Sequence, residues 1–332
     1  MDTDIAGRFK ALAREDPKRI IFPEATDARI IEAAGICARE GICEPVLLGD
    51  KEHVAEAAKD AGVPLDGVDV RDPAEKLALD RYATVYAQRR GNIAESVARR
   101  VVSRNMLFGA MAVSTGGADG MVGGATCPTA RIIEAGGLAI GYEPGISVPS
   151  SIFVMILPDD WPEEQRVLVY ADAAINIDPT AEELADIAIT TAHTTRQTLG
   201  MEPRLAMLSC STKGSAVHPR IAKVQRATEI VRQKAPDVEI DGELQADSAI
   251  VPRVAQLKCP ESKVAGRANV LIFPDLDSGN IAYKLTQYHG RAKAYGPLLQ
   301  GFARPIADLS RGATVEDIVV VTAFTVVKAQ DR

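Results

Sequence analysis

The sequence is short of cysteine, histidine and positive charge, and each shortage removes a class of function. Its five cysteines, at 37, 43, 127, 210 and 259, are odd in number and have none of the paired spacings that zinc sites or redox motifs use. They are expected to be reduced thiols, mostly buried as small apolar groups. The four histidines, His53, His193, His218 and His289, lie far apart, so no metal site is expected. No apolar run reaches the ~18 residues of a membrane span. Met1-Asp2-Thr3-Asp4 lacks the basic start and apolar core of a secretory signal, so a cytoplasmic protein without a membrane partner is expected. Lys and Arg number 38 against 45 Asp and Glu, a net charge of −7. That balance argues against a nucleic-acid partner, because phosphate backbones need a basic face. An anionic small molecule would have to be held by local arginines and helix amino termini rather than by the global field.

What is present is the composition of a soluble globular chain, 46% hydrophobic and 25% charged, whose 332 residues suit roughly two domains. Short β-rich runs at 19–23, 45–49, 120–123, 152–157, 167–171, 205–209, 239–244 and 270–273 predict buried strands. Stretches at 27–40, 92–109, 180–199 and 219–234 have helical length and spacing. The alternation predicts an α/β fold, a mostly parallel sheet flanked by helices, with ligands gathering at the carboxyl ends of strands. Residues 315–330 are rich in β-branched side chains but too long for a strand, and predict a helix buried on most sides. Glycine and proline cluster at 141–149, a natural domain boundary.

Two stretches carry chemistry. In the first, a hydroxyl, a guanidinium and a carboxylate, Ser310, Arg311 and Asp317, are bent together around Gly312. If Thr314 caps the following helix, Asp317 falls in its first turn and points back to the Ser310-Arg311 bend. The plain alternative is that Thr314-x-x-Asp317 is a capping box, with Ser310 a turn residue and Arg311 a surface cation. In the second, Met121-Val122-Gly123-Gly124-Ala125-Thr126-Cys127-Pro128-Thr129-Ala130-Arg131 runs from a strand through a glycine turn into a helix, where free N–H groups and the hydroxyls of Thr126 and Thr129 suit a phosphate. Arg131, one turn further on, either joins them or only pairs with Glu134. Lys213, in Ser211-Thr212-Lys213-Gly214-Ser215, lacks the upstream glycines of a Walker motif, so nucleotide hydrolysis is not expected. Asn280, Tyr283 and Lys284, after the 270–273 strand, are candidates for lining a cleft, or else ordinary features of a helix start.

The run from Gly296-Pro297 to Asp317 resembles the carboxyl-terminal signature of the phosphate acetyltransferases (phosphotransacetylases). So, in family order, do Ile21-Phe22-Pro23-Glu24 with Asp27 and Arg29, Ala118-Asp119-Gly120-Met121-Val122, Tyr170-Ala171-Asp172-Ala173-Ala174-Ile175-Asn176, Leu208-Ser209-Cys210-Ser211, Asp241-Gly242-Glu243-Leu244-Gln245-Ala246-Asp247, and Ala268-Asn269-Val270. The resemblance implies two α/β domains of the isocitrate/isopropylmalate dehydrogenase-like kind with a cleft between them. The first would hold 1–144 together with 298–332, the second 145–297. It implies reversible transfer of acetyl between acetyl phosphate and coenzyme A in a ternary complex, coenzyme A being a substrate, with no cofactor or metal, in a homodimer. Asp317 would take the thiol proton, Ser310 would hydrogen-bond the thiol, and Arg311 would face the acyl phosphate.

An ordinary carboxylate near 3.9 is a poor base for a thiol near 8.5, a gap of about 6 kcal/mol, so the site must stabilise the developing thiolate through Arg311 and the helix amino terminus. The chain also departs from the family: Cys127 stands where many members have histidine, Arg131 and Glu134 reverse a charge order, and Ala87 replaces an arginine, leaving Arg89 or Arg90 as substitutes. Acyl preference therefore stays open, with butyryl transfer as one alternative. Others are a covalent route through Cys127 or Cys210, and a non-catalytic acetyl-CoA sensor.

Overall fold

A computed structural model describes residues 4–91 and 93–330. The chain forms two compact units. Asp4–Glu143 and the segment from Phe302 onward make the first, and Pro144–Gly301 the second. Among the described residues no helix is long and apolar enough to cross a membrane.

The first unit is built on a five-stranded sheet of β1 (Lys18–Phe22), β2 (Cys43–Leu48), β3 (Asp69–Arg71), β4 (Gly120–Gly123) and β11 (Ile306–Asp308), in the order β11-β4-β1-β2-β3. Every neighbouring pair is parallel. Ile20, Ile21 and Phe22 of β1 are fully buried, as a central strand covered on both faces requires. The helix Val315–Gln330 forms as expected, with all of residues 318–329 buried. Its hydroxyls survive in that apolar setting because Thr322 and Thr325 donate to the carbonyls of Ile318 and Val321, at 2.7 and 2.8 Å.

One expected helix needs correction. The stretch 92–109 is two helices, Glu95–Val102 and Asn105–Ser114, and Asn92 lies outside the described residues. Arg104 is extended between them (φ −74°, ψ 127°), and the Asn105 amide donates to the carbonyls of Pro23 and Leu48, at 3.0 and 3.1 Å, tying the break to the ends of β1 and β2. Gly109 sits inside the second helix because a Cβ there would approach Met121 Sδ to 2.8 Å.

The second unit holds β5 (Ser150–Ile156), β6 (Val167–Ala171), β7 (Arg204–Leu208), β8 (Glu239–Leu244), β9 (Val270–Ile272) and β10 (Lys293–Gln300), ordered β10-β5-β6-β9-β7-β8. The run β6-β9-β7-β8 is parallel, while β10 and β5 are antiparallel additions, so this sheet is mixed. Residues 298–300 pair with β5 through Gln300 and Ser150, so they belong to this sheet rather than to the first unit as the resemblance implied. The buried Gln300 amide holds that end by donating to Ser150 Oγ (2.9 Å) and Thr191 Oγ1 (2.7 Å).

Candidate active site

In the first unit, β11 ends at Asp308 and the chain turns through residues 309–314 into the helix Val315–Gln330. Asp317 completes the capping box its spacing allowed. Its Oδ2 accepts from the Thr314 N–H and hydroxyl (2.9 and 2.8 Å), and its own N–H donates to Thr314 Oγ1 (3.2 Å). That box uses one carboxylate oxygen and fixes the other in direction. Ser310 makes the turn, with Oγ accepting from the Gly312 N–H (3.2 Å) and its carbonyl from Ala313 (2.9 Å), so its hydroxyl proton remains uncommitted. Arg311 is exposed, and its guanidinium has no hydrogen-bond or ion-pair partner among the described residues. The elbow thus presents a proton donor, a free cation and a half-buried carboxylate.

The glycine turn after β4 is occupied from within. Glu24, just past β1, inserts its carboxylate into the turn. Oε2 accepts from the N–H groups of Gly124 (2.7 Å) and Ala125 (2.9 Å), and Oε1 from the Thr126 N–H (2.8 Å) and hydroxyl (2.5 Å). The expected phosphate cradle is therefore filled by an anion the chain itself supplies. Thr129 donates to Asp308 Oδ2 at 2.5 Å. Arg131 is exposed on the helix Thr129–Ala139, and among the described residues no ion pair joins it to Glu134. Arg89 is not a free substitute for the arginine missing at Ala87, since its Nη1 donates to Ser114 Oγ and, at 2.6 Å, to the Ala139 carbonyl.

Asp308 is 1% exposed, and its Oδ1 has no hydrogen-bond partner among the described residues. Burial pushes its carboxyl up to about 7, with the Glu24 charge adding to the rise and the Thr129 bond opposing it. The folded value lies above the unfolded 3.8, so the folded state holds the extra proton between about 4 and about 7. Stability falls as pH rises through that window, by roughly 4 kcal/mol once complete. Asp308→Asn is therefore expected to gain on the parent protein in melting temperature as pH is raised from 5 to 8. Parallel melting curves would mean that Asp308 ionises freely.

Cys127 is a poor covalent nucleophile, because burial first and then the Glu24 and Asp308 charges push its thiol up to about 11. Cys210 is exposed and lines a second-unit cavity of about 530 Å³ with His218, Arg220, Ile221 and Phe273 at the carboxyl ends of β7 and β9. The loop bearing Cys210 is anchored by the buried Glu243, whose Oε1 accepts from Ser211 Oγ (3.0 Å) and the Gly214 N–H (2.7 Å). Lys213 is paired with Asp241, which accounts for it structurally. Asn280 donates to the Ala173 carbonyl (3.0 Å), Tyr283 stacks on Phe153 with centroids 4.0 Å apart, and the Lys284 ammonium lies 5.0 Å from the Tyr283 ring centroid. These three belong to the second unit, and the elbow to the first.

A family model described as Phosphate acetyl/butaryl transferase matches residues 5–326. The chain belongs to that family. A phosphate acetyltransferase from Thermoanaerobacterium thermosaccharolyticum is 46% identical over 320 residues, covering 96% of this chain and 97% of its own. One from Clostridium acetobutylicum is also 46% identical over 320 residues, covering 96% of each chain. Among solved structures, a phosphotransacetylase from Streptococcus pyogenes superposes with a TM-score of 0.95 at 40% identity over 100% of both chains. In the sequence Glu24 and Arg29 appear only as family marks, without a task. The signal for Glu24 was a carboxylate one residue past a proline at a strand end, facing a glycine turn that offers N–H donors.

Proposed function

We propose that this member of the phosphate acetyl/butyryl transferase family catalyses reversible acetyl transfer between acetyl phosphate and coenzyme A. The observation that carries the reading is the elbow itself, which sets Ser310 in its turn, Asp317 in the first helical turn, and between them Arg311, exposed and with a guanidinium that has no partner among the described residues. In this reading Ser310 hydrogen-bonds the incoming thiol and Asp317 takes its proton. Arg311 faces the acyl phosphate and stabilises the tetrahedral oxyanion and the phosphate that leaves. Arg131, Thr126 and Thr129 remain candidates for the phosphate end, with Glu24 as the group an incoming anion would have to displace from the nest. Asn280, Tyr283 and Lys284 remain candidates for holding coenzyme A.

Coenzyme A enters as a substrate in this reading, because its sulfur carries the acetyl group away, and a transfer that moves no electrons between redox states calls for no redox cofactor. The same reading makes the enzyme a cytoplasmic homodimer of acetate metabolism. It is tested by mixing the protein with acetyl phosphate and coenzyme A in chelator-containing buffer and following thioester absorbance. Acetyl-CoA should accumulate in proportion to enzyme, with acetyl preferred over butyryl phosphate. Tight acetyl-CoA binding without acyl exchange would make the chain a sensor instead.

A further inference from the structure

The guanidinium of Arg29 joins three segments that are distant in sequence. Its Nε and Nη2 donate to the two oxygens of Asp27 at 3.1 and 2.8 Å, and Nη2 also donates to the Ala125 carbonyl in the nest loop at 3.1 Å. Nη1 donates to the carbonyls of Arg311 and Ala313, at 2.9 Å each, on either side of Gly312. Asp27 is itself fixed, as its Oδ1 accepts from the Arg29 N–H (2.9 Å) and caps the helix Ala28–Arg39. Its carboxyl is held below the usual range chiefly by the Arg29 side-chain bond, so the pair is charged on both sides. A planar fork with donors in several directions can make this set of bonds; an ammonium is a single point of charge and cannot.

We propose that Arg29 is a positioning residue for acyl transfer. It grips the backbone of the elbow at Arg311 and Ala313, against the loop that carries the Glu24-filled nest, so that the Arg311 side chain is left clear and aimed. Because it binds carbonyls and not the Arg311 side chain, it orders the elbow without consuming the charge that meets substrate. Without it, two carbonyls turn to solvent and Gly312 frees the bend, so Arg311 must be aligned anew in each turnover. A misplacement of about 1 Å is enough to cost about 100-fold in rate.

The inference rests on Arg311 facing the acyl phosphate, and the test separates the two. Arg29→Gln is expected to lower turnover about 30-fold while changing the Michaelis constant for coenzyme A less than about threefold. In an Arg311→Gln background the same change should cost less than about threefold, because a residue acting only through Arg311 has nothing left to position. Losses that multiply, or Arg29→Gln turnover within about threefold of the parent, would overturn the proposal. If Arg29→Gln does not fold, Arg29→Lys serves, and a folded Lys variant with parental turnover overturns it equally. Amide hydrogen exchange at Gly312, Ala313 and Thr314 needs no substrate. It should be faster in the variant, and unchanged exchange there would remove the clamp even if the parent protein proved inactive as an acetyltransferase.

Discussion

Asp317→Asn is expected to lower turnover about 1,000-fold while leaving both Michaelis constants within about threefold, the mark of a group that acts only in the transition state. The carboxylate is also half of a capping box, so the effect must be separated from helix loss. Asparagine can still accept from Thr314 through its amide oxygen, and its melting temperature should stay near the parental value. Asp317→Ala removes the cap as well, at about 1 kcal/mol. Loss of turnover in both variants, with loss of stability mainly in alanine, assigns the base. The asparagine variant should also recover part of its rate as pH approaches the thiol's ~8.5, where coenzyme A ionises without help. Parental turnover in Asp317→Asn would reduce the residue to its capping role.

The largest stability effect is expected at Gly124. Its φ of +107° lies in the region that favours glycine, and a Cβ there would sit 2.3 Å from Asp308 Oδ1 and 2.9 and 3.0 Å from the Leu309 backbone N and O. Two of those atoms are backbone and the third is a buried carboxyl, so none can swing aside. Gly124→Ala should therefore push β4's loop from β11, costing about 3–5 kcal/mol from backbone strain and overpacking together. It should cost activity too, since the elbow starts two residues after Asp308. Gly116→Ala is the control. Gly116 has φ +77° but nothing within 4 Å of a Cβ, so only the left-handed penalty of about 1–2 kcal/mol applies. Similar melting temperatures for the two variants would show that the β4–β11 contact is not tightly packed.

What the sequence made legible was local. The bounds 120–123, 167–171, 239–244, 219–234 and 315–330 appear as elements because periodicity, length and flanking glycine or proline all pointed one way. The elbow was legible for the same reason: Thr314 and Asp317 are three residues apart and need no distant partner. Strands β3 and β11 have three residues each; β9 is as short but lies in the apolar run 270–273, whereas Asp69–Arg71 and Ile306–Asp308 each include a charged residue and offer no such run. The break before Asn105 comes from its amide reaching the ends of β1 and β2, a tertiary contact that helical spacing does not report. The site's second half was hidden likewise. Glu24 fills a nest about a hundred residues on, and Arg29 clasps carbonyls 282 and 284 positions away. Backbone carbonyls carry no sequence signature, so the sequence marks Arg29 as part of the family pattern but does not show what it clasps.

The most direct measurement is the position of the coenzyme A sulfur in a crystal soaked with coenzyme A and a non-reactive acyl phosphate analogue. Within about 3.5 Å of the Asp317 carboxylate, and in reach of Ser310 Oγ, it meets the geometry a thiol base requires. A sulfur lying well beyond one intervening water from Asp317, with the elbow unoccupied, would contradict it.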